Sequence, residues 1–246
     1  VGARLLAGCV KTLRVWWPRT PKPGNLGDVL TPVILERLGY KARWTPQIAA
    51  KVLATGSIIR FARAGQTVWG SGAMRATDRP DPRARYLAVR GPLTRRAVLK
   101  AGGSCPEVYG DPALLLPELV NGSVPKVHDL GLVPHYVDRK AVAGMHPDEH
   151  RIDVLRADTL DVVREIRQCR AIVSSSLHGI IVAHAFGIPA AWVRWSDKLS
   201  GDDTKFHDYA ASVGWTAVPS PDLASAEPTL PSHVDVTALL DAGRSL

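Results

Sequence analysis

The sequence has no stretch approaching the roughly 18 consecutive apolar residues that a membrane-spanning helix needs. Nor does it show a charged, then apolar, then small-residue pattern, so no secretory signal is expected and a cytoplasmic setting is. Cysteine is scarce: Cys9, Cys105 and Cys169 are odd in number and widely spaced, with no C-x-x-C. That argues against a disulfide framework and a zinc site, and leaves buried thiols as the expectation. The dinucleotide pattern G-x-G-x-x-G and the phosphate loop G-x-x-x-x-G-K-[ST] are both missing, so nicotinamide chemistry and P-loop nucleotide hydrolysis have little support, and no cofactor is expected. No internal repeat or low-complexity tract is visible.

What is present is a chain of 246 residues, 46% of them apolar, enough for a large core and comfortable for two modest lobes. The net charge of +8 is unevenly spread. Residues 1–122 carry 19 Lys and Arg against 7 Asp and Glu, a balance of +12, whereas residues 123–246 carry 12 against 16, a balance of −4. Seven arginines fall between Arg75 and Arg96. Such a patch suits nucleic acid, an anionic membrane surface or a phosphorylated substrate, or else is a solvated face with no partner.

The hydrophobic pattern alternates strands with helices, which predicts an α/β fold. Strands are expected over 13–17, 51–59, 66–69, 85–89, 128–133 and 152–155, and helices over 29–38, 93–101, 113–119, 160–169, 205–213 and 234–242. The stretch 121–125 is the expected boundary between a lobe of residues 1–122 and one of residues 123–233, with a C-terminal helix in 234–246.

The most telling segment is Ala171 to Val193. An apolar strand runs into Ser174, Ser175 and Ser176, and His178 then opens a short apolar helix that ends before Gly187-Ile188-Pro189. In an open α/β sheet the turn from a strand's carboxyl end into a helix is where ligands sit, because unpaired helix N–H groups and the helix dipole favour anions there. His178 is therefore well placed for acid–base chemistry. His184, six residues on, points to another helix face and is expected to be packed. After the first strand, Gly24-Asn25-Leu26-Gly27-Asp28 lets the backbone approach a ligand closely, and Asp28 can cap the next helix or bond a sugar hydroxyl. A plain structural turn would explain that segment equally well on its own. His146-Pro147-Asp148-Glu149-His150 matches H-x-x-E-H literally, but Gly144 and Pro147 disfavour the continuous helix that zinc chemistry needs.

Taken together and in order, GNLGD (24–28), VRGPLTRRAVLKAGG (89–103), GDPALLLPEL (110–119), LVPHYVD (132–138), SSSLHG (174–179), AFGIP (185–189) and KFHDY (205–209) resemble the polysaccharide pyruvyltransferase family, in its short exopolysaccharide-modifying form. The resemblance covers about residues 12–215 and rests on the ordered set, since no single motif is specific. It implies two Rossmann-like lobes facing a central cleft, GT-B-like. It also implies transfer of pyruvate from phosphoenolpyruvate to a sugar, or to a lipid-linked oligosaccharide acceptor, as a cyclic ketal. By the same resemblance His178 is the general acid. Arg90 is the first choice for clamping phosphate or carboxylate, since a guanidinium binds either by two parallel bonds; its plain reading is a surface arginine near a turn. Many members of the family have arginine where this chain has Ser176. Lys205 is the best substitute for that charge, with Lys198 and Arg194 behind it, helped by the hydroxyls of Ser174, Ser175 and Ser176 and the helix start at Leu177. Asn25, Asp28, Asp111 and His135 complete the expected substrate-binding set.

Two other readings share some of these features. A nucleotide-sugar glycosyltransferase of GT-B type would have the same lobes and a basic acceptor side. A basic module for nucleic acid or another anionic polymer would explain the charge, but aromatic-interleaved basic motifs are missing, so no nucleic acid is expected. The +12 lobe makes peripheral contact with an anionic membrane face a further expectation.

Overall fold

The computed structural model describes residues 10–246, so Cys9 lies outside the described residues. The first half builds a five-stranded, wholly parallel sheet in the order β2-β1-β3-β4-β5, formed by β1 (Thr12–Val15), β2 (Lys41–Trp44), β3 (Val52–Leu53), β4 (Thr67–Trp69) and β5 (Arg85–Ala88). Helix α1 (Leu26–Arg37) joins β1 to β2, and α2 (Pro92–Lys100) follows β5. Pro92 sits in the first turn of α2, where a missing N–H does no harm. A 3-10 turn (Pro112–Leu115) and α3 (Leu116–Leu119) lead to a second parallel sheet, β6-β7-β8, made of β6 (His128–Val133), β7 (Cys169–Ser174) and β8 (Ala190–Trp192). Between and after these strands run α4 (Arg139–Met145), α5 (Thr159–Arg167), α6 (Leu177–Ala185), α7 (Thr204–Val213) and α8 (Thr237–Arg244). The α/β expectation is met.

The expected elements need several corrections. The helix placed at 29–38 begins at Leu26, so Asp28 lies in its first turn and Asn25 takes the N-cap position, without a side-chain capping bond. The strand expected over 51–59 pairs only at Val52–Leu53, because Gly56 turns the chain with a φ of +96°. No strand forms at 152–155: Arg151 makes one isolated bridge to Leu132, and the carbonyl of Val154 accepts the N–H of Leu26 at 3.0 Å instead. That bond ties the second half to the start of α1. Asp158 does cap α5, its carboxylate accepting the Asp161 N–H at 3.0 Å. Cys105 and Cys169 are buried free thiols.

One buried cluster runs from Val15, Leu30 and Ile34 of the first half to Ile172, Ile180 and Val182 of the second, so the halves share a core. The chain end reinforces this. Helix α8 returns to the first sheet, where the Trp69 indole N–H donates to the Leu239 carbonyl at 2.9 Å and the Tyr40 hydroxyl donates to the Arg244 carbonyl at 2.8 Å. No helix among the described residues is long and apolar enough to cross a membrane.

Candidate active site

Because every strand pairing within the two sheets is parallel, the carboxyl ends of each sheet lie along one edge, and the loops leaving them supply the side chains of a cavity of about 350 Å³. Asn25 and Asp28 follow β1, Ser57 follows β3, His135 follows β6, Ser176 and His178 follow β7, and Lys205 opens α7 after β8. Trp16, Arg60, Phe61 and Tyr136 form more of the wall.

His178 is held from two sides. Its Nε2 is buried and lies 3.3 Å from Asp111 Oδ2, while the other Asp111 oxygen accepts the Ala113 N–H at 3.0 Å. Burial pushes the Asp111 carboxyl up, but His178, the Ala113 N–H and the Arg90 guanidinium outweigh it and hold the group below the usual carboxylate range. The ring also packs against the backbone of α1, where a Cβ on Gly27 would overlap the imidazole, coming within 2.0 Å of Nδ1. The glycine read as making room for a ligand makes room for His178. Nε2 faces Asp111 without forming a hydrogen bond among the described residues, Nδ1 is the ring atom nearest Gly27, and the residue lines the cavity.

The three serines divide their work. Ser174 Oγ accepts the Ser176 N–H at 2.9 Å and bonds the Val133 carbonyl at 2.7 Å, and a Cβ on Gly179 would meet this hydroxyl. Ser175 Oγ donates to Asp138 Oδ2 at 2.6 Å and accepts the His135 N–H at 2.9 Å. Both are fully buried and shape the turn; neither lines the cavity. Ser176 does line it, at the N-cap of α6, and its hydroxyl has no hydrogen-bond partner among the described residues. The first turn of α6 therefore offers an uncapped helix N-terminus to the cavity.

Lys205 reaches the same space. Its ammonium lies 5.2 Å from the Phe206 ring centre and makes no ion pair among the described residues, although the side chain is buried. Burial lowers its pKa to about 8, Arg90 adding to the effect and Asp203, Asp138 and Asp28 opposing it. Burial likewise brings the ring of His135 down to about 3, with Lys205 and His178 adding, so it stands neutral beside Tyr136, 4.3 Å between ring centres. Lys198 is exposed and does not line the cavity, and Arg194 pairs with Asp203.

Arg90 does not reach the cavity. Its guanidinium is fully buried, 3.2 Å from Asp208 Oδ2, donating to Ser57 Oγ at 2.8 Å and to the Ala73 carbonyl at 2.5 Å. Asp208 also accepts the N–H and hydroxyl of Thr94 at 2.8 and 2.5 Å. A Cβ on Gly72 would overlap this guanidinium, and one on Gly91 would overlap the Asp208 carbonyl. Arg90 thus clasps the loop after β5 to α7 and positions Ser57, which does line the cavity. The VRGPLTRRAVLKAGG motif drew attention to this arginine but gave no sign of its buried carboxylate partner, which lies in the KFHDY motif. His184 is packed as expected: Nε2 donates to the Thr229 carbonyl at 3.1 Å, so Nδ1 accepts the Tyr209 hydroxyl at 3.0 Å. In H-x-x-E-H, His146 caps the end of α4 while His150 stacks on His128 at 3.7 Å, so the two do not share a helix face.

A family model described as polysaccharide pyruvyl transferase matches residues 52–197, more than half of the chain. The chain belongs to the polysaccharide pyruvyl transferase family. Among curated proteins, this family member is 35% identical over 212 residues to the succinoglycan biosynthesis protein ExoV of Rhizobium meliloti, covering 80% of this chain and 64% of that protein. It is 32% identical over 170 residues to an uncharacterised protein of Acanthamoeba polyphaga mimivirus, covering 65% of this chain and 58% of that protein. The chain thus spans about six tenths of the length of these relatives. The pyruvyl transferase match includes β3 to β8 with Arg90, Asp111, His135 and His178, and leaves Asn25, Asp28 and Lys205 outside its limits.

Proposed function

We propose that this protein transfers pyruvate from phosphoenolpyruvate to two hydroxyls of a sugar in a bacterial exopolysaccharide, or in its lipid-linked repeat, forming a cyclic ketal with His178 as the general acid. The observation that carries this reading is the pairing of His178 with Asp111 on the wall of a cavity that also holds the unpaired ammonium of Lys205. A ketal made from an enol phosphate needs a proton at the methylene carbon, two hydroxyls attacking the adjacent carbon and release of phosphate. Asp111, 3.3 Å from Nε2, would orient the imidazole, as a carboxylate does for a histidine acid–base. Lys205, the Ser176 hydroxyl and the N-terminus of α6 would hold the anionic donor. On the far wall Trp16, Phe61 and Arg60 would face the sugar, and a neighbouring groove of about 720 Å³ lined by Arg19, Lys22 and Trp44 shares Thr20 with the cavity and would take more of the acceptor. In this arrangement residues 1–122 and 123–233 act as two facing Rossmann-like lobes of GT-B type, the first for acceptor and the second for phosphoenolpyruvate, with residues 234–246 returning to the first. The relative named for succinoglycan biosynthesis supports the exopolysaccharide setting. The direct test is incubation with phosphoenolpyruvate and a panel of methyl glycosides. Phosphate release that depends on glycoside, with a pyruvylated product by mass, is expected; phosphate release without a sugar product would defeat the reading.

Lys205→Met is expected to raise the apparent KM for phosphoenolpyruvate by about tenfold or more, the loss of a charge-assisted contact of roughly 1.5–3 kcal/mol. The wild-type KM should also rise above about pH 8, because a lysine with that lowered pKa is losing its charge there. A variant with unchanged KM would place the donor elsewhere.

The charge asymmetry has a proposed use. Arg79, Arg85, Arg96 and Lys100 are exposed on the first half, and Arg79 and Lys100 line a groove of about 540 Å³. Arg83 is already paired with Asp81 at 3.0 Å. Basic side chains near an anionic leaflet contribute about 1 kcal/mol each within a Debye length of roughly 8 Å. Salt-reversible binding to phosphatidylserine vesicles, and not to phosphatidylcholine vesicles, is therefore expected at the cytoplasmic membrane face. An Arg79→Gln, Arg85→Gln, Arg96→Gln variant should lose it while keeping activity on a soluble glycoside. Equal binding to both vesicle types would end the proposal.

A further inference from the structure

The proposed transfer leaves one proton without an acceptor: His178 gives a proton to carbon, yet two sugar hydroxyls must each lose one. Asp28 lies on the same cavity wall, in the first turn of α1 and next to Gly27, whose backbone supports the His178 ring. Its carboxylate accepts no side-chain or backbone hydrogen bond among the described residues, and the side chain is half-buried at the cavity wall. Gly56 keeps the loop after β3 close, since a Cβ there would come within 3.1 Å of Asp28 Oδ1. An acidic side chain that is half-buried, unpaired among the described residues and on the cavity wall is not acting as a helix cap. The charged or titratable groups acting on it from the packed elements are His178 of α6, Asp111 before the 3-10 turn and Lys205 of α7.

Resting on the pyruvyl-transfer reading, we propose that Asp28 is the base of the reaction, taking the proton of the first sugar hydroxyl and handing it to the departing phosphate. In the first step that hydroxyl oxygen bonds to the phosphate-bearing carbon. The double-bond pair takes a proton from His178 to make the methyl group, and Asp28 takes the hydroxyl proton. In the second step the bond from carbon to phosphate oxygen breaks and the second hydroxyl oxygen replaces it. The second hydroxyl proton restores His178, and the proton on Asp28 leaves on phosphate. Of the two hydroxyl protons, one is balanced by the new methyl hydrogen and the other by phosphate, and both side chains return to their starting state.

Burial pushes Asp28 up to about 7, with Asp111 adding to the effect and His178 and Lys205 opposing it. A group near that value can accept a proton in one step and release it in the next. The sign for pH dependence follows: the carboxylate form is needed to begin, so kcat/KM should rise with pH through about 7 on its acid side.

The test compares wild type, Asp28→Asn and Asp28→Glu in phosphate release from phosphoenolpyruvate with the methyl glycoside panel. Asp28→Asn should lower kcat by about 10²–10⁴. Its KM for phosphoenolpyruvate should stay within about threefold, and its acid-side rise near pH 7 should vanish. Asp28→Glu should recover part of the rate and the pH dependence, which a merely structural side chain would not do. A wild type active on the panel beside an Asp28→Asn variant with the same kcat, or with the same pH rise, overturns the assignment and leaves the pyruvyl-transfer reading standing. A wild type that makes no pyruvylated sugar defeats that reading, and the assignment with it.

Discussion

Replacing His178 by glutamine is expected to cut pyruvyl transfer by about 10²–10⁴ while leaving the fold intact. That is the usual contribution of a proton donor acting in the transition state. Glutamine keeps a polar side chain of similar reach with an N–H that can face Asp111, but it cannot deliver a proton to carbon. The loss should appear in kcat, with KM for phosphoenolpyruvate nearly unchanged, because in the proposed arrangement Lys205 and the start of α6, rather than the imidazole, would hold the anion. Asp111→Asn should give a smaller loss in the same direction, since the ring keeps its position against Gly27 and loses only the carboxylate facing Nε2. Near-wild-type turnover in His178→Gln, measured as phosphate release with glycoside, would remove His178 from the chemistry.

How legible the molecule was depended on whether one segment or two had to be read. The place of His178 after β7 could be read from sequence because its signal is local: an apolar strand, three small polar residues and an apolar helix fit a turn at the carboxyl edge of a parallel sheet. The same logic placed β6 at residues 128–133, where an apolar run is flanked by polar residues. It failed at β2, an edge strand whose exposed Lys41, Arg43 and Trp44 show no buried face. It failed again at 152–155, where the Val154 carbonyl serves the start of α1 rather than a β-ladder. At the site the misses came from partners distant in sequence. Gly27 serves a histidine about 150 residues away, Ser174 spends its hydroxyl on the end of β6 and Ser175 on the loop after it, and Arg90 answers Asp208. Short motifs show which residues a site uses, but which of them face the substrate is decided by contacts that spacing does not encode.

Arg90 provides the second large effect, on stability. Its pair with Asp208 has no exposed side-chain surface on either partner, and each charge is also satisfied by neutral groups: Ser57 and the Ala73 carbonyl for the arginine, Thr94 for the aspartate. Removing one member of such a pair leaves the other buried and unpaired, at a cost of about 3–5 kcal/mol. For a chain of this size roughly 2–4 °C of melting temperature goes with each kcal/mol, so Arg90→Met should lower Tm by about 10 °C. Arg90→Lys should also lose stability, because an ammonium cannot reach Asp208, Ser57 and the Ala73 carbonyl in one plane. The double variant Arg90→Met, Asp208→Leu should regain much of the loss, since apolar groups of similar volume commonly replace a buried ion pair at little cost. Thermal melts of the four proteins, read beside their KM for phosphoenolpyruvate, separate the two roles that an arginine at this turn could have. A phosphate clamp would give Arg90→Lys a raised KM and an unchanged Tm; the clasp seen between the β5 turn and α7 requires the reverse, with any change in KM limited to what Ser57 loses when its donor is withdrawn.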